Sequence, residues 1–77
     1  GLSMQDTQQG VYLAEVKQGG VAWEAGIRKG DILKEINLAK VSSAADVQAQ
    51  VNKLRPGEKA VVTVLRENIQ KEFVVNL

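Results

Sequence analysis

At 77 residues the chain has the length of one small domain and is too short for two separate cores. Hydrophobic residues make up 44% and charged residues 25%, with a formal charge of +1, which excludes a disordered composition and the basic stripe that neutralises phosphates. Cysteine and histidine are absent, so this chain by itself holds no disulfide, no thiolate metal site and no Ser-His-Asp triad.

Leu2 and Met4 alternate with Ser3 and Gln5, the pattern of a short half-buried strand, and Asp6 to Gln9 form a polar connection. From Gly10 the run GVYLAEVK reads as a second strand, with Val11, Leu13 and Glu15 on one side and Tyr12, Ala14 and Val16 on the other. Gly19 and Gly20 break it, and VAWEA supports about a turn and a half of helix before Gly26 stops it. Ile27 anchors that turn inward, and Gly30 with Asp31 makes a second break, Asp31 bonding the nearby backbone. ILKEINL is the third strand, with Ile32, Ile36 and Leu33 as core residues.

Ser43 then stands as N-cap of a long helix, Ala44 to Leu54, with Asp46 three residues on to complete a capping-box pattern and to suit the positive end of the helix dipole. Val47, Val51 and Leu54 fall at i, i+4 and i+7, one apolar stripe, and Pro56 with Gly57 ends the helix. KAVVTVL and KEFVVNL, separated by the polar RENIQ, form a hairpin. The order predicts an α+β domain: a five-stranded antiparallel sheet or barrel capped by one short and one long helix, without an internal repeat.

Catalytic readings fail residue by residue. Ser3, Ser42 and Ser43 fit strand, turn and cap positions with no activating partner nearby, and the carboxylates sit mostly beside Lys or Arg on solvated faces. The glycines match neither GxGxxG nor GxxxxGK, and Tyr12, Trp23 and Phe73 lie on three different elements, which is no platform for stacking bases. No apolar run approaches the roughly 20 residues that a membrane-spanning helix needs. What remains is recognition by backbone: if the short first strand lies at a sheet edge beside the long helix, it can accept another strand, the alternative being that Leu2 to Gln5 is simply a frayed terminus.

The stretch GVYLAEVKQGGVAWEAGIRKGDILKEIN, followed by VSSAADVQAQVNKLRPGEKAVVTVLRE, resembles PDZ domains of the bacterial, circularly permuted kind over nearly the whole chain. The linked elements are Ala25, Gly26, Ile27, Gly30, Asp31, Ile36 and Asn37, then the helix, Pro56, Gly57 and the strand ending in Arg66. Within that superfamily the helix and its exit are similar to the PDZ domains of HtrA (Deg) envelope serine proteases, the second domain more than the first. Three positions depart from the pattern: Val21 for Pro, Leu38 for Gly, and Trp23 where a small residue is usual. Without its permissive glycine, the turn after Asn37 is expected to widen into a loop through Ala39 and Lys40. Trp23 is expected to pack over the sheet end, the alternative being a contact with a partner or the protease domain.

The resemblance implies a PDZ-like partly closed barrel occupying residues 1–77 as a module of a longer protein, noncatalytic and without cofactor or metal. It implies that a peptide or unfolded-protein C-terminus adds as a strand between the edge strand, Leu2 to Gln5, and the long helix. Gly1 and Leu2 would then carry the ligand carboxylate on their amides, Ser3, Met4 and Gln5 supply the strand edge, and Ala44, Gln48 and Val51 face the groove from the helix. Leu2, Met4 and Val51 would line the pocket for the last side chain. The partners implied are such peptides and the protease domain of the parent chain, in a bacterial periplasm or cell envelope, with neither nucleic acid nor membrane insertion involved. Two other settings fit the same module: a membrane-embedded site-2-type zinc protease, and a structural adaptor in a secretion or oligomeric assembly.

Overall fold

The expected alternation of apolar residues appears as an antiparallel meander in the computed structural model, which describes residues 2–76. In chain order the elements are β1 (Leu2–Thr7), β2 (Gly10–Val16), α1 (Val21–Ala25), β3 (Ile32–Ile36), β4 (Ala39–Lys40), α2 (Ala44–Asn52), β5 (Lys59–Arg66) and β6 (Ile69–Asn76). The strands lie in the order β1-β2-β3-β5-β6, with β4 paired to β3 off this path. The sheet is therefore open, with β1 and β6 as its two ends.

The sixth strand corrects the count of five, and one turn causes it. Asn37 and Leu38 take φ of 51° and 69° and reverse the chain in two residues, so Ile36 pairs with Ala39 and Glu35 with Lys40. The wide loop expected here does not form. Asn37 tolerates the left-handed conformation and is fastened to β5: its N–H donates to Val61 O and its Oδ1 accepts from Val61 N, both at 2.8 Å. Leu38 is carried along and stands 80% exposed.

Two bulges correct the assignment of faces. Between Ser3 and Met4 the β1–β2 register passes from Glu15 to Leu13, leaving Ala14 as the extra residue. The phase slips by one, so Val16 joins Val11 and Leu13 in the core and Glu15 turns out to solvent. Likewise the β3–β5 pairing passes over Lys34, which puts Leu33 and Ile36 in the core and leaves Ile32 half-buried. A strict period of two could not show either slip. The core is completed by Ile27, Val41, Val47, Ala60, Val62, Val64 and Val75.

Both helices are short and capped. Gly26 ends α1 at φ 111°, its N–H reaching back to Ala22 O and Trp23 O, and a Cβ there would stand 3.0 Å from the Phe73 ring. Trp23 packs half-buried against the core with the Arg28 guanidinium stacked 3.7 Å from its ring centroid. Arg28 also donates to Trp23 O at 2.7 Å, so the large side chain is held by its own neighbourhood. α2 stops at Asn52, two residues before the expected Leu54. Lys53 and Leu54 donate to Gln50 O and Val51 O, three residues back, which tightens the last turn ahead of Pro56.

At the start of α2, Ser43 Oγ accepts from Asp46 N at 3.1 Å, as the capping pattern predicts. The Asp46 carboxylate reaches one residue further, accepting from Ser42 N and Ser42 Oγ, both at 3.0 Å. Those bonds lower its pKa below the ordinary 3.8, the Ser42 backbone donor first. A lowered native pKa means that this contribution to stability is present above pH 3.8 and is lost as pH falls through the native value. In urea titrations, Asp46→Ala is expected to lower the midpoint at pH 7, the gap from the wild type narrowing below pH 4; Ser43→Ala is expected to cost about 1 kcal/mol. A gap independent of pH would remove the carboxylate from this role.

Candidate functional site

β1 pairs with β2 along one side, and among the described residues no strand pairs with its other side. Its backbone is thus a free edge, and α2 lies beside it. Asp6 Oδ1 accepts from Ala44 N at 2.8 Å, joining the far end of β1 to the first residue of α2. Met4 stands opposite Leu13, and Leu13 shares a cavity with Val47 and Val51, so the start of β1 lies toward the end of α2. Strand and helix therefore flank a groove in opposite directions. Four residue steps along β1 and seven along α2 give it a length of roughly 10–13 Å.

Met4 is half-buried against the core, whereas Ser3 and Gln5 are exposed, as alternation along an edge strand requires. The Leu2 backbone is in register with Val16. Gly1, expected to hold a ligand carboxylate, lies outside the described residues. On the helix, Ala44 is half-buried with its N–H taken by Asp6. Gln48 is exposed and its Nε2 donates to Asn52 Oδ1 at 3.0 Å, so its amide is held along the helix. Val51 is 41% exposed and yet forms part of a cavity wall.

That cavity, of about 220 Å³, lies under α2. Val47, Val51 and Leu54 line it from the helix side, Val21 and Ala22 from α1, and Leu13, Leu33, Ile36 and Val62 from the sheet. Every lining side chain is apolar, so the space suits an aliphatic group and offers nothing to ionise, attack or coordinate. Val21, Ala22 and Leu54 were not foreseen as site residues, because their approach depends on how α1 meets α2. Asp6 was assigned to a polar connection, although β1 in fact continues to Thr7 before turning through Gln8 and Gln9. Its alternation with Met4 was the available signal.

The chain spans about one-seventh of the curated relatives it matches. It is 34% identical over 70 residues to a probable periplasmic serine endoprotease DegP-like protein of Brucella suis, covering 91% of this chain and 14% of that protein. It is 36% identical over 72 residues to the periplasmic serine endoprotease DegP of Salmonella typhimurium, covering 94% and 15%. Among solved structures, the HtrA3 PDZ domain bound to a phage-derived ligand, FGRWV, superposes with a TM-score of 0.85 at 22% identity, over 99% of this chain and 80% of that one; this likeness is one of fold. The family model described as PDZ domain matches residues 1–77, and with the open six-stranded sheet and its two helices the chain belongs to the PDZ domain family.

Proposed function

We propose that this domain captures the end of an extended peptide as an added strand between β1 and α2, recognising substrates for, or regulating, an HtrA/Deg-type serine endopeptidase in the bacterial periplasm or envelope. The observation that carries the reading is the free edge of β1 lying beside an apolar cavity. Main-chain bonding along Leu2 to Gln5 supplies affinity for any extended segment, and an apolar last side chain gains by entering between Met4 and Val51. By the family resemblance, the ligand carboxylate would sit on the amides of Gly1 and Leu2, Gly1 lying outside the described residues. The printed names of the relatives support the setting, and the peptide held by the HtrA3 domain supports the class of ligand. Affinity for short peptides is expected to be roughly micromolar or weaker, since ordering costs offset much of the contact energy.

A fluorescein-labelled peptide library with free or amidated C-termini tests this. Val51→Asp puts a charge at the cavity wall and is expected to weaken binding by at least about tenfold, with the amide spectrum confirming that the variant folds. Amidation is expected to weaken binding as well, and Gln48→Ala to change it less than Val51→Asp. Binding untouched by Val51→Asp and by amidation removes the groove as the site.

A further inference from the structure

We infer that Asp6 is a length gauge for the bound strand: its carboxylate clasps the first N–H of α2 and stops strand addition along β1 after Gln5. The inference rests on the peptide-groove reading above. Asp6 stands opposite Val11 and alternates with Met4, so it belongs to the side of β1 that α2 covers. Its bond to Ala44 N, at 2.8 Å, joins positions 38 residues apart. Asp6 is exposed, so this bond crosses the mouth of the groove rather than lying beneath it. Both partners have a reason to hold. The first N–H groups of a helix lack intrahelical acceptors, and the positive end of the helix favours an anion.

A strand added beside β1 with its carboxyl end near Leu2 has four residues, Leu2 to Gln5, to pair along. Its next residue upstream meets the clasp. Continuing would break the bond from Ala44 N and part the positive end of the helix from its anionic partner. Asp6 therefore turns an edge that would accept a strand along its whole length into a site that counts about four residues.

The test uses fluorescein-labelled peptide pools of three, four, five, seven and nine residues, randomised except for a free C-terminal valine. With the wild type, affinity is expected to rise to four residues and then stay within about twofold. With Asp6→Ala it is expected to keep rising, by about fivefold between four and seven residues, as one or two further main-chain bonds form. Asp6→Asn retains a carbonyl oxygen that can accept from Ala44 N and is expected to keep the plateau. The Ala44 amide should exchange with solvent faster in the Ala variant only, in a domain whose remaining amide spectrum is unchanged. A wild-type affinity that climbs past five residues, an Ala variant with the wild-type plateau, or an Asn variant that follows the Ala variant overturns the clasp while leaving peptide binding intact. Absence of binding by every pool overturns the peptide-groove reading itself.

Discussion

Asp31→Ala is expected to cost about 3–5 kcal/mol, a large part of what holds a domain of this size together. Asp31 is 1% exposed, and its carboxylate is saturated from two directions. Arg66 Nε donates to Oδ1 at 2.8 Å and Arg66 Nη2 to Oδ2 at 2.6 Å, while Arg28 N donates to Oδ2 at 2.9 Å. The same Nη2 donates to Gly26 O at 2.9 Å, so the pair ties the end of α1, the turn into β3 and the end of β5 together. Removing the carboxylate strands part of the guanidinium and the Arg28 N–H. Arg66→Lys keeps the charge but not the fork, and is expected to cost about 1–2 kcal/mol. Urea unfolding at pH 7 measures both. A loss below 1 kcal/mol for Asp31→Ala would show that the pair merely decorates a fold secured elsewhere.

Gly10→Ala is the second large effect, about 2–4 kcal/mol. Gly10 opens β2 at φ 141°, where a Cβ would stand 2.6 Å from Leu33 O and 2.9 Å from Ile32 Cγ2. The first of those atoms is backbone in the next strand and cannot rotate away. The ladder between β2 and β3 is short, Val11 with Leu33 and Tyr12 with Ile32, and is helped by Lys34 Nζ donating to Gln9 O and by Leu13 N donating to Asp31 O at 2.9 Å. Prising the strands apart at Gly10 therefore tilts the whole β1–β2 hairpin and moves the free edge relative to α2. Weaker peptide binding should accompany the lost stability. Unchanged unfolding would mean that the sheet absorbs the methyl group by a shift, and the close approach would carry no structural weight.

Much of the fold was legible because it is written in local chemistry. Gly26 ends α1 where the sequence puts a stop, Ser43 and Asp46 cap α2, and the final hairpin turns at Glu67 and Asn68, within the polar stretch expected to do so. The faces of β2 and β3 were less legible, since Ala14 and Lys34 bulge only when a particular partner strand lies alongside. The turn at Asn37 and Leu38 was misread for a related reason. A leucine at φ 69° is costly by itself, and what makes it tolerable is the pair of bonds from Asn37 to Val61, 24 residues away.

For the site, the sequence alone determined the components: an alternating first strand, a capped helix with Val51 on its stripe, and no residue set for histidine-based catalysis. Only the tertiary structure decided that β1 ends the sheet, that Val21 and Leu54 join Val51 around a cavity, and that Asp6 reaches Ala44. Asp31 illustrates the division. Its bond from Arg28 N follows from turn chemistry three residues away, whereas its ion pair with Arg66 spans 35 residues and exists only once β5 has been placed beside β3. Caps and turns satisfy hydrogen-bonding groups within a few residues and so leave a signature in the order of residue types. Grooves, clasps and buried ion pairs depend on which distant elements share a boundary, and that is settled by the packing of the whole core.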